Sequence, residues 1–184
     1  IPELKIKKEV FTDVLGRANF TIPVKKIEYW SPNNPKLYST LIETGDQKLK
    51  DQIGFRIIKV EGSNILLNDK SIFLRGICMH EENPIKGGRA NSIEDSRLLL
   101  NWAKELGCNF VRLAHYPHNE HIDRLADEMG MLVWEERPVY GNVLFDNLDT
   151  YRKAETQLTE VVNRDKNRAA VIIWSMANET PQTE

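Results

Sequence analysis

The chain has 184 residues, a formal net charge of −2, and 41% hydrophobic and 28% charged residues, an ordinary balance for a globular protein. No basic stripe or tail is present to hold nucleic acid, and no apolar run reaches the roughly 20 residues that a bilayer crossing needs. The two cysteines, Cys78 and Cys108, show no metal or CxxC spacing, so both are expected as buried free thiols and the redox compartment stays open.

Ile1-Pro2 is not a natural start. The numbering is therefore expected to begin inside a longer gene product, with a removed leader left open. Alternating apolar and polar residues over 18–24 and 36–42, separated by the turn-rich Ser31-Pro32-Asn33-Asn34-Pro35, predict strands. Lys5, Lys7, Lys8, Lys25 and Lys26 alternate with apolar residues and are expected on the wet faces of such strands. This is β-sandwich material. An immunoglobulin-like sandwich takes about 100 residues and about seven strands, so residues 1–57 are expected to supply only its later strands.

Residues 54–70 form a bridge with a hairpin signal at Asn68-Asp69. From there strands and helices alternate. A strand is predicted over 71–77. Ser92 with Asp95 resembles a capping box and opens a helix with Leu99, Trp102, Ala103 and Leu106 on one face, closed by Gly107. A strand over 109–113 leads to a helix bearing Ile122, Leu125, Ala126 and Met129, closed by Gly130. A strand over 131–134, a helix with Ala154, Leu158, Val161 and Val162, and a strand over 171–174 complete the pattern. Such alternation predicts an α/β fold with a parallel sheet covered by helices. About four βα units are present, whereas a (β/α)8 TIM barrel takes about 250 residues. Residues 58–184 are thus expected to be the first half of such a barrel.

In a parallel sheet every C-terminal strand end lies on one rim, where barrels carry their active sites. The strands deliver there Met79-His80-Glu81-Glu82, His115-Tyr116-Pro117-His118, Glu135-Glu136-Arg137 and Asn178-Glu179. Taken singly, most of these have structural readings. Glu135 or Glu136 suits an ion pair with Arg112 or Arg137, His118 suits a place beside a helix N-cap, Glu81 and Glu82 suit half-solvated loop charges, and Trp174 suits a core or wall position. Their gathering on one rim favours a polar pocket.

The segment Arg75-Gly76-Ile77-Cys78-Met79-His80-Glu81 resembles the one that opens the barrel of glycoside hydrolase family 2. Asn109-Phe110-Val111-Arg112-Leu113-Ala114-His115-Tyr116-Pro117 resembles that family's N-x-x-R-x-x-H-Y-P segment, and Trp174-Ser175-Met176-Ala177-Asn178-Glu179 its W-S-x-x-N-E segment. Upstream, Trp30-Ser31-Pro32 through Leu37-Tyr38 and then Gly54-Phe55-Arg56 are similar to its sandwich domain and the exit from it. The resemblance covers nearly the whole chain, in order.

The resemblance implies a retaining β-glycosidase, in which two carboxyl groups about 5–5.5 Å apart act as nucleophile and acid/base. It implies Glu179 as acid/base, Asn178 as a contact to the sugar 2-hydroxyl, and His80, Arg112, His115 and Glu136 as further groups of the sugar site. The nucleophile is expected beyond Glu184, so this chain alone is expected to be inactive. Glu136 is followed by Arg137-Pro138-Val139-Tyr140-Gly141 and lacks the Glu-x-His pair of the magnesium-dependent members, so no metal or cofactor is expected. β-Galactosidase is the leading reading. β-Glucuronidase and a non-catalytic carbohydrate-binding or assembly module are the alternatives. The expected partner is a carbohydrate, with self-association or pairing with the remaining barrel.

Overall fold

The computed structural model describes residues 1–180. Its centre is a parallel sheet of β6 (Gly76–Met79), β7 (Phe110–Leu113), β8 (Leu132–Glu136) and β9 (Val171–Ser175), each strand beside its successor. Helices α1 (Ile93–Glu105), α2 (Glu120–Met129) and α3 (Leu148–Asp165) make the crossovers. This is the α/β pattern of a partial TIM barrel.

Local chemistry sets the helix ends. The Ser92 side chain accepts from the Asp95 N–H at 3.1 Å, satisfying one orphan donor of α1. Asn119 and Asn147 cap α2 and α3 in the same way. Gly130 ends α2 in the left-handed region at φ +69. A Cβ there would also collide with the Pro32 carbonyl, so only glycine lets the helix end so close to the upstream loop.

The core forms where α1 and α2 cover the sheet: Leu100, Ala103, Val111, Leu113, Ile122, Ala126, Leu132, Val133 and Val171 are buried. Truncating one such leucine, Leu132→Ala for example, removes roughly 2–5 kcal/mol. The α1 face is turned from the expected one. Ser96, Leu100 and Ala103 face inward, Leu99 and Trp102 are half-buried, and Leu106 is exposed.

Ahead of the barrel strands lie two small antiparallel sheets. The hairpin of β1 (Tyr38–Thr44) and β2 (Gln47–Ile53) turns at Gly45, and β3 (Ile58–Glu61), β4 (Asn64–Leu67) and β5 (Lys70–Ile72) form a meander. Asn68 and Asp69 both have positive φ, +52 and +63, the geometry of a type I′ turn, and the hairpin expected there is present. Trp30 is fully buried and ties the first region to the barrel, its Nε1 donating to the Asp127 carbonyl at 2.8 Å.

Three expectations are corrected. Residues 18–24 form no strand: alternation makes a segment compatible with a sheet, but among the described residues no neighbouring strand offers it a ladder. Lys5, Lys7, Lys8, Lys25 and Lys26 are exposed, yet on irregular backbone rather than on strand faces. The run 71–77 is not one strand, because its first residues pair antiparallel with β4 and its last pair parallel with β7.

Candidate active site

The C-terminal ends of the four parallel strands meet at one edge. Arg112, on β7, is the hub. Its Nε and Nη2 donate to Glu136 Oε2 at 2.9 and 2.6 Å, and Nη2 also donates to Asn178 Oδ1 at 2.7 Å. His115 Nδ1 lies 2.8 Å from Glu136 Oε1. A carboxylate only accepts, so this nitrogen carries a proton. Its 3.3 Å approach to Arg112 Nη2 is therefore a contact between two donors. Beneath the guanidinium lies the Trp134 ring, 5.0 Å from Cζ, a favourable cation–π geometry. Cys78 Sγ accepts weakly from Nη1 at 3.8 Å.

Glu136 is fully buried. Burial pulls its pKa upward, but the bonds from Arg112 and His115, with the Ser175 side chain nearby, together outweigh burial and hold it below the ordinary carboxylate value. With both oxygens engaged, it is built to position its neighbours.

Asn178 is fixed through its backbone. Its N–H donates to the Val139 carbonyl at 2.8 Å, and its carbonyl accepts from Gly141 at 3.1 Å. Because Oδ1 already accepts from Arg112, the side-chain NH2 remains to donate to a ligand. Glu179 follows at once, exposed, with φ +49. That left-handed backbone is costly for a residue with a Cβ. His80 is exposed and stands edge-on to the His115 ring at 5.3 Å and the Tyr116 ring at 6.1 Å.

The structure thus joins Arg112, His115, Glu136 and Asn178 in one hydrogen-bonded network, with His80 against it and Glu179 next in sequence. Three residues of this cluster were not singled out as site residues from sequence. Trp134 sits two residues before Glu136 and so shares its strand face, a signal that was available. Tyr140 forms a β-bridge with Asn178 and carried no sequence signal of its own, whereas Ser175 stands opposite Glu136 in the β8–β9 ladder and was in view as the serine of the W-S-x-x-N-E segment.

Other rim expectations change. Glu81 is buried rather than half-solvated, accepting from the Asn119 N–H at 2.5 Å and from Arg89, while Glu82 is exposed. Arg137 pairs with neither glutamate and donates instead to the carbonyls of Met176 and Ala154. Glu135 faces the opposite side of β8, towards Arg164. His118 lies beside the Asn119 cap as expected, but buried, and burial pushes its pKa down to about 4. Both cysteines are free, yet Cys78 is exposed, because β6 is an edge strand among the described residues, and Cys108, between α1 and β7, is only half-buried. Trp174 is half-buried against the core.

Among the described residues no helix is long and apolar enough to cross a membrane. The sequence matches the family described as "Glycosyl hydrolases family 2, TIM barrel domain" over residues 58–184. It is 35% identical over 181 residues to a β-glucuronidase of Streptococcus agalactiae, covering 86% of this chain and 30% of that protein. It is 32% identical over 176 residues to a β-galactosidase of Psychromonas ingrahamii, covering 89% of this chain and 17% of that one. The fold is similar to that of Ruminococcus gnavus β-glucuronidase in complex with D-glucaro-d-lactam, with a TM-score of 0.77, 31% identity, and coverage of 88% of this chain and 29% of that one. The chain spans less than a third of the length of these relatives. A family match over more than two thirds of its residues, together with these likenesses, shows that the chain belongs to glycosyl hydrolase family 2.

Proposed function

We propose that this chain is part of a retaining β-glycosidase in which Glu179 is the acid/base. The supporting observation is the Arg112–Glu136–Asn178 network, which holds the residue next to Glu179 against a buried ion pair. Left-handed backbone at Glu179, at a strand-end rim, adds to it. Strained backbone at non-glycine residues clusters at functional sites.

In this reading Glu179 donates its proton to the glycosidic oxygen while a carboxylate attacks the anomeric carbon. A covalent glycosyl-enzyme forms and the aglycone alcohol leaves. Glu179 then takes a proton from water, which attacks the same carbon and releases the sugar and the nucleophile. Glu136 is ill-suited as that nucleophile, since Arg112 and His115 already hold its oxygens. The nucleophile is proposed to come from a barrel strand outside this chain. Asn178 offers its NH2 to the sugar 2-hydroxyl, and His80 and His115 line the ring.

For the sugar, a β-galactoside is the first reading. The arginines at the described rim are already engaged: Arg112 by Glu136, Arg89 by Glu81, and Arg137 by backbone carbonyls. A glucuronide would need cationic or amide groups for its carboxylate, and most of these are proposed to lie beyond Glu184. A β-glucuronide is the second reading, favoured by the β-glucuronidases among the relatives. We further propose the division into a sandwich-type region over 1–57 and a barrel region over 58–184. The outer edges of β6 and β9 are proposed to pair with further barrel strands or with a second copy.

Aryl β-galactoside and aryl β-glucuronide hydrolysis, measured side by side for the full-length protein and its Glu179→Gln variant, tests this. A galactoside activity lost in the variant supports both assignments. Glucuronide turnover alone would replace the first sugar with the second. Full activity in Glu179→Gln would remove the acid/base assignment.

A further inference from the structure

We propose that Asp123, Glu135 and Asp165 form a binding site for a divalent cation, calcium in the first instance, between α2, α3 and the outer face of β8. One oxygen from each carboxylate can be chosen so that the three lie within 4.8 Å of one another. Calcium binds oxygens at about 2.3–2.6 Å, so its opposite ligands stand up to about 5 Å apart. The three groups come from three elements, which is how a cation ties a fold together.

The environment argues that something besides protein donors satisfies these groups. Asp123 and Glu135 are fully buried, and Asp165 is 2% exposed. Among the described residues neither oxygen of Asp123 has a hydrogen-bond partner, nor has Glu135 Oε2. Native proteins rarely leave buried carboxylate oxygens in that condition. Arg164 is the nearest cation, its Nη2 at 2.7 Å from Asp165, 3.3 Å from Glu135 and 3.6 Å from Asp123. One guanidinium opposite three carboxylates leaves two negative charges uncompensated. Arg168, the next arginine, is engaged by Asp51 and Asp127.

Burial drives the pKa of Asp123, Glu135 and Asp165 upward, and for Asp123 and Glu135 the other carboxylates of the cluster add to it. The cluster therefore demands positive charge in some form. A proton on Asp123 removes one charge but leaves a buried hydroxyl and a buried carbonyl still to be satisfied. A hard divalent cation meets the charge and the lone pairs together. Arg164 is a third exposed and stands on the solvent side of the cluster. It competes with the cation, and its swing into solvent opens the way in. Glu135 precedes Glu136, so an occupied site braces β8 from behind the rim.

The test uses the full-length protein, stripped with EDTA and titrated with CaCl2 at pH 7.5, followed by thermal unfolding and by calorimetry. A cation bound only to the folded state raises Tm progressively as its concentration rises above the dissociation constant. Asp123→Asn is expected to lose that dependence. Arg164→Gln is expected to melt lower without cation and to show a larger calcium shift. The proposal is overturned if CaCl2, MgCl2 and MnCl2 all leave wild-type Tm and the calorimetric trace unchanged. It is equally overturned if Asp123→Asn keeps the full shift, or if Arg164→Gln is restored by acid and not by calcium.

Discussion

Removing Arg112 separates the electrostatic reading of the rim from a merely steric one. In Arg112→Met the apolar stem over Trp134 is largely kept, while Glu136 loses two hydrogen bonds and Asn178 loses the donor that orients it. Glu136 is fully buried, so its charge would keep only His115 as a hydrogen-bond partner. Breaking one side of a buried ion pair costs about 3–5 kcal/mol, and this loss is expected in urea unfolding at pH 7. The pH dependence follows from the sign of the Glu136 shift. Its folded pKa is lowered, so its contribution is present above the unfolded value and is lost as pH falls through the folded one. Without Arg112 burial dominates and the sign reverses. The gap between wild type and variant should thus be wide at pH 7 and narrow towards pH 4. Replacing both partners, Arg112→Met with Glu136→Gln, should recover about 2 kcal/mol or more of the single loss. A loss below about 1 kcal/mol, or a loss undiminished by Glu136→Gln, would refute the claim that the pair organises the rim.

Asp127→Asn gives a second pH signature. Burial pushes Asp127 up to about 7, against the Ala170 N–H, at 2.7 Å, and Arg168. A carboxyl with a raised folded pKa stabilises most at low pH and loses that contribution as pH rises from about 4 to about 7. The wild-type-minus-variant stability should fall by about 4 kcal/mol across that window, and a flat difference would contradict it. His118 acts oppositely, since its folded pKa of about 4 makes stability fall as pH drops below about 6.5, so the comparison has to be made as this difference. The 184-residue chain by itself is expected to hydrolyse no aryl glycoside and to self-associate in sedimentation, because β6 and β9 each leave an edge without a partner among the described residues. A monomer that turns over substrate would dismiss that expectation.

Much of the architecture was local and therefore readable. The 3.6-residue spacing of Ile122, Leu125 and Ala126, the Ser92 cap, Gly130 and the Asn68-Asp69 turn are all decided within a few residues of chain. His115 and Asn178 were legible as rim residues because a parallel sheet sends every strand end to one edge, and Arg112 through the resemblance of the segment Asn109 to Pro117. Tertiary structure decided the rest. Whether Arg112 meets Glu135 or Glu136 depends on which face of β8 each occupies, and the register shift at Val133/Trp134 cannot be seen in a single strand's sequence. Glu81 is buried because Asn119, from another loop, and Arg89, from the far end of its own, converge on it. Residues 18–24 alternate like a strand but find no ladder, while 71–77 serves two different sheets. Periodicity reports which faces a segment can bury; only the positions of distant partners determine which hydrogen bonds and charges it actually meets.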